Sequence, residues 1–226
     1  MAADHVAVLF HGIGTPGRAL EPGEAPYWIG VDLFEALLDR IAAHPLRARL
    51  HISFDDGNLS DHAIALPRLL ARGLRADFFV LSGRLGVPGS LGTAELRELA
   101  AAGMGVGSHG IAHRDWRRLE AAGLRAELAE SRDVLEQALG APVRAVGIPF
   151  GGYDRRVLRA IRAAGYAAAW SSDGGRMDPA AFLRPRTSVR ADMEAGRLET
   201  LLEGHLPPVR RLRRALGMAR RRFLPV

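Results

Sequence analysis

"HISFDDGNLSD", residues 51–61, sets two carboxylates side by side at the end of an apolar run, where their mutual repulsion must be offset by something. Just before them Ala48, Leu50, Ile52 and Phe54 alternate with Arg47, Arg49, His51 and Ser53. A period of two predicts a strand with one face buried. Asp55, Asp56 and Gly57 then fall where the strand stops and the chain turns. In α/β proteins the strand mouths are where chemistry is usually placed. Neighbouring residues leave a strand in opposite directions, so one carboxylate can hold a metal while the other takes a proton. A solvated Asp-Gly turn is the plain alternative.

Outward from this strand, helix-like and strand-like runs alternate. "VAVLFHG" (6–12) reads as a strand and 31–43 as a helix; "HAIALPRLLARGL" (62–74) reads as a helix in which Pro67 falls early or makes a kink. "ADFFVLSG", "GVGSHG", "VRAVGIPFGG" and "AAAWSSDGG" read as further strands. Between them lie the helical "TAELRELAAAGM", with Thr93 as its cap, "AAGLRAELAESRDVLEQALG", ended by Gly140, and "RRVLRAIRAAGY". This order is the pattern of a parallel sheet or barrel. A change in character near Asp192 divides an alternating body, 1–191, from a helical, arginine-rich tail, 192–226.

The chain has 226 residues, 48 % hydrophobic and 6 % aromatic, an ordinary globular composition with enough length for a core. It has no cysteine, which excludes disulfides and thiolate metal sites. No apolar run is long enough to span a membrane, and "MAADHVAVLFHGIG" has no basic leader. Read as a complete gene product, the chain is expected in the cytoplasm. Its net charge is +6, and its basic residues are all arginine, since it contains no lysine. "VRRLRRALGMARRRF" (209–223) carries seven arginines and no acid, with Val209, Leu212, Leu216, Ala219 and Phe223 at helical spacing. Such a helix suits docking on the body or peripheral contact with an anionic inner membrane face. Nucleic acid is set aside as a partner because no reading motif accompanies the charge.

A second cluster lies in "GSHGIAHRDW" (107–116), where His109 and His113 are four apart. If the chain coils there, both imidazoles lie on one side. Imidazoles suit zinc, and a carboxylate is a frequent third ligand. Position 110 is glycine, so a base has to come from elsewhere, and the Asp pair offers one. An Asp-His-His set leaves a divalent metal, zinc by ligand type, an open position for water to be acidified and deprotonated by a nearby carboxylate. The metal also accounts for the adjacent acids by neutralising one of them.

"SFDDG", "HGIAH" and "IPFGGYD", in this order and spacing, resemble the first three motifs of the polysaccharide deacetylases, the family 4 carbohydrate esterases with a NodB homology domain. "RADFFV" and "LRELAAAGMGVGSH" strengthen the resemblance, which covers roughly residues 5 to 190. It implies a distorted (β/α)7 barrel, here with a C-terminal helical, arginine-rich extension. By position it makes Asp55 the general base, and Asp56, His109 and His113 the metal ligands. The backbone N–H of Phe150, where the family usually has tyrosine, would stabilise the oxyanion together with the metal. Ser108, Gly151 and Gly152 would shape the surrounding loops.

The chain departs from the family pattern at Gly147, where many members carry an arginine that orients the base. Arg186, in "RPRTSV", is the candidate replacement, with Asp173 as its partner. His205 is the only histidine late enough for the family's strand-borne acid, although "LETLLEGHLPP" reads as a helix end; His62 is an alternative. His11, at the first strand mouth, is expected to line the pocket, and Trp116 and Trp170 either stack on a sugar or pack in the core. The expected function is metal-dependent removal of an N-acetyl group from an amino sugar in a glycan or glycolipid. Two alternatives stand beside it: a deacylase or deformylase of a lipid-linked sugar at the inner membrane face, and a non-catalytic sugar-binding module.

Overall fold

A computed structural model describes residues 5–193, 195–204 and 208–223. Six strands and five helices alternate through the body: β1 (His5–Phe10), α1 (Val31–Ala43), β2 (Leu50–Asp56), α2 (Leu66–Ala71), β3 (Ala76–Val80), α3 (Thr93–Ala101), β4 (Gly105–Ser108), α4 (Ala121–Leu139), β5 (Ala145–Gly147), α5 (Arg155–Ala163) and β6 (Ala168–Ser171). Three short strands follow, β7 (Arg176–Met177), β8 (Leu183–Pro185) and β9 (Thr187–Ser188), and then α6 (Ala195–Leu202) and α7 (Pro208–Phe223). Strands β1 to β6 and β8 run parallel in the order β1-β2-β3-β4-β5-β6-β8. Directly after β8 the chain crosses to β9, which pairs with β1, while β7 pairs antiparallel with β1. The sheet thus curls into a nearly closed barrel whose seam lies between β8 and β1. This is the distorted (β/α)7 barrel that the resemblance implies.

Both faces of the sheet are covered. Val8, Phe10, Ile52, Phe54, Phe78 and Val80 face the helices in one large apolar layer, and Ala7, Phe79, Trp170 and Met177 form a smaller cluster on the other face. The expectation of one buried face on β2 is therefore corrected: Ser53 is buried too, donating its hydroxyl to the Val8 carbonyl at 3.1 Å. Helices close one side of a parallel sheet, and barrel curvature closes the other. The strand itself begins at Leu50, because Arg47–Arg49 make a turn of 3-10 helix.

Local chemistry sets several boundaries. Pro67 lies in the first turn of α2, preceded by a π-helical turn at Asp61–Ala65. A ring without an N–H disrupts a helical ladder less at a helix start than inside it. Gly140 ends α4 in a left-handed conformation, as expected from sequence. Thr93 is not the cap of α3; Gly92 takes that position, and its N–H donates to Glu95 Oε2 at 2.9 Å. Helix α7 packs beside α5, but on the face opposite to the one its hydrophobic spacing suggests. Met218 packs on the core, and Arg214 and Arg221 bond to the body, whereas Val209, Leu212 and Leu216 are each 62 % exposed.

Candidate active site

The mouth of the barrel holds a cavity of about 350 Å³ lined by His11, Asp55, Asp56, His109, His113 and Phe150, with Glu21 and Tyr27 from the segment between β1 and α1. Asp55 and Asp56 end β2 together, and both face this cavity. Asp56 would leave the strand on the opposite side, but its φ of 79° is left-handed and turns the carboxylate back. Aspartate is among the few non-glycine residues that adopt this conformation readily. The expected split in direction therefore does not occur, and the two carboxylates differ in their partners instead.

Asp55 is gripped from across the seam. Arg186, between β8 and β9 and wholly buried, donates from Nη1 to Asp55 Oδ1 at 2.6 Å and from Nη2 to Oδ2 at 2.8 Å. The same guanidinium donates to the Ser53 hydroxyl and the Ser171 carbonyl and lies over the Phe79 ring. Burial alone pushes the Asp55 carboxyl up, but the charge and hydrogen bonds of Arg186 outweigh it and hold the group below the usual carboxylate range. Asp55 is thus an ionised carboxylate held in one orientation.

Asp56 has no such partner: its Oδ1 is buried without a hydrogen bond among the described residues. His109 Nε2 lies 3.7 Å and His113 Nε2 3.6 Å from that oxygen, and the three ligand atoms lie within 4.8 Å of one another. Ligands about 2.0–2.1 Å from a tetrahedral zinc are about 3.3 Å apart, so this set fits a divalent cation after a small contraction. An orphaned buried oxygen facing two imidazoles is costly unless a cation joins them. Burial lowers the His109 pKa in spite of the two nearby aspartates, which favours the neutral ring that metals require.

The histidine loop is not helical. His113 has a φ of 48°, and Glu127 of α4 fixes the loop by accepting from Ile111 N at 2.7 Å and Ala112 N at 3.4 Å. Ser108 bonds to Ser131 at 2.7 Å and accepts from Gly110 N. Gly151, at φ 62°, lets the 149–151 turn press against Ser172, which a Cβ there would strike at 2.8 Å. Phe150 stacks on His113 with ring centroids 4.3 Å apart.

Other candidates lie elsewhere. Trp170 sits in the inner-face cluster, because its place on β6 turns it into the barrel instead of toward the mouth. Trp116 is also buried in the core. His62 bonds to Glu98 of α3 at 2.6 Å, outside the pocket, because the π-helical turn carries it to the helix layer. Asp173 does not pair with Arg186; it accepts from Tyr153 and Ser171 and pairs with Arg221 of α7. His205 lies outside the described residues. Sequence reasoning missed Glu21, Glu127 and Asp61. Asp61 is wholly buried, and burial with the nearby charges of Asp56 and Asp55 pushes its carboxyl well above the usual range. Only its place five residues beyond Asp56, just before a helix-like run, hinted at it.

Comparison with known proteins agrees with this geometry. The family model described as Polysaccharide deacetylase matches residues 44–169. YxkH of Bacillus subtilis (strain 168), which carries the same family description, is 26 % identical over 124 residues, 55 % of this chain and 44 % of its own length. The chain therefore spans less than half of that curated relative. Among solved structures, the deacetylase PplD of Streptococcus pyogenes, in complex with acetate, aligns with a TM-score of 0.75 at 20 % identity, over 92 % of this chain and 100 % of its own. A de-N-acetylase from Aggregatibacter actinomycetemcomitans aligns with a TM-score of 0.71 at 14 % identity, over 88 % of this chain and 99 % of its own. At such identities the structural matches speak for the fold, while the family match spans more than half the chain and includes both strand mouths that carry the Asp and His residues. The chain belongs to the polysaccharide deacetylase family.

Proposed function

We propose that the chain is a divalent-metal amide hydrolase that removes acetyl groups from an N-acetylated amino sugar of a glycan. The observation that carries this reading is the ionised Asp55 beside the orphaned Asp56 Oδ1 and the two facing imidazoles. Asp56, His109 and His113 would hold the cation, zinc by ligand type. A cation there supplies an acidified water and polarises an acyl carbonyl.

The protein's own groups do the rest. Asp55 takes the proton of the attacking water, and Arg186 fixes both of its oxygens so that the base presents one geometry. Arg186 in this role replaces the arginine missing at Gly147. The backbone N–H of Phe150, at the cavity wall, donates to the oxygen that becomes negative. His11 returns a proton to the leaving amine. It lines the cavity outside the ligand set, and its buried Nδ1 has no partner among the described residues. The family description and the solved deacetylase and de-N-acetylase relatives support an acetyl amide as the bond cleaved. The test is metal content together with acetate release from a panel of N-acetylated oligosaccharides. Metal at one per chain with acetate release is the expected result, and a chain that takes up no divalent metal would refute the reading.

The exposed apolar stripe of α7 favours a second element, peripheral contact with anionic lipid. Val209, Leu212 and Leu216 point away from the body, and arginines of the same acid-free helix flank them. We propose that the tail helix is that contact and forms a distinct functional segment after the barrel. Flotation with vesicles containing anionic lipid should lose the chain when Leu212 and Leu216 become aspartate; equal flotation would refute it. Among the described residues no helix is long and apolar enough to cross a membrane.

A further inference from the structure

The segment between β1 and α1 lies before the region matched by the family model, yet it supplies Glu21, Glu24 and Tyr27 to the wall of the cavity. Glu21 is held from two sides. Its Oε2 lies 2.7 Å from His113 Nδ1, and its Oε1 pairs with Arg84, which follows β3. Its own N–H donates to Glu24 at 2.7 Å, and Glu24 in turn pairs with Arg18, whose Nε donates to Asn58 Oδ1 at 3.0 Å. Glu21 is part-exposed, yet both of its side-chain oxygens have partners.

The contact with His113 determines the state of that ring. An ionised carboxylate only accepts, so Nδ1 must carry the proton, which leaves the Nε2 lone pair free toward Asp56. His109 is arranged in parallel but with a weaker partner, since its Nδ1 faces the Gly147 carbonyl at 2.9 Å. A carboxylate behind a ligating imidazole raises its basicity more than a carbonyl does, and such partners set metal affinity. We infer that Glu21 is a positioning residue for the metal site, fixing the tautomer and orientation of His113. The inference rests on the metal-hydrolase reading above.

The test is zinc affinity of the metal-stripped chain, measured by competition with a chromophoric chelator, for wild type, Glu21→Ala, Glu21→Gln and Arg84→Ala. Glu21→Ala should bind zinc on the order of 10–100-fold more weakly, the usual cost of losing such a partner. Glu21→Gln, which keeps an acceptor but loses the charge, should fall between Glu21→Ala and wild type. Arg84→Ala should have the smallest effect, because Glu21 remains in place. Thermal stability without metal should be the same for all four, since Glu21 is part-exposed. Zinc affinity of Glu21→Ala within about twofold of wild type would overturn the inference even if turnover fell, because that pattern marks a wall residue only. A wild-type chain without zinc uptake would overturn the hydrolase reading and the inference together.

Discussion

The barrel mouth and the C-terminal helix both concentrate charge, and they accommodate it in opposite ways. At the mouth Asp55, Asp56, His109 and Arg186 are buried; Asp55 pairs with Arg186, and Asp56 faces the imidazoles of His109 and His113. On α7, Arg211, Arg213 and Arg220 lie in the open. Water solvates exposed charge at little cost, whereas a buried charge persists only when something offsets its desolvation. The mouth is therefore the region where single substitutions should have large and distinguishable consequences.

Asp56→Ala should produce the largest change. It removes one of three ligands, so metal analysis should find the divalent ion lost and acetate release at background; metal retained at the wild-type level would break the ligand assignment. Asp55→Asn comes next. Metal should stay while turnover drops by roughly 10²–10⁴-fold, the range expected for loss of a positioned base, and near-normal rates would remove Asp55 from that role.

Arg186→Met tests the buried pair. Leaving Asp55 without its guanidinium should cost roughly 3–5 kcal/mol in folding stability. The sign with pH follows from Asp55, whose folded pKa lies below its unfolded value. Its stabilisation is fully present above the unfolded carboxylate pKa and lost as pH falls through the folded value. The gap in melting temperature between wild type and Arg186→Met should therefore narrow in acid, and a gap that widened there would contradict the pairing. Arg211→Gln, on the tail, should shift stability by no more than about 0.5 kcal/mol and leave turnover on a soluble oligosaccharide unchanged. A loss comparable to that of Arg186→Met would erase the contrast between the two regions.

Much of the mouth was legible because its main elements are local. The period of two before Asp55 marks β2, and "HGIAH" follows a recognisable strand, so Asp55, Asp56, His109 and His113 could be named together. Their orientation was harder. Alternation along a strand assigns Asp56 to the far face, and only its left-handed backbone returns it to the site. Glu21 was invisible because it reaches His113 across 92 positions from a loop with no periodicity. His62 and Trp170 show the converse, residue types suited to a sugar site that packing placed in the helix layer and the inner cluster.

The sequence by itself determined the alternation of strands and helices, the residues at the strand mouths, the family and the amphipathic character of the tail. These follow from short-range spacing, which reports the faces of one segment at a time. Only the tertiary structure decided which distant groups meet. It brought Arg186 onto Asp55 across 131 positions at the barrel seam, placed Glu21 behind His113, and turned the apolar stripe of α7 outward. Barrel closure and side-chain packing set those distances, and no local period encodes them.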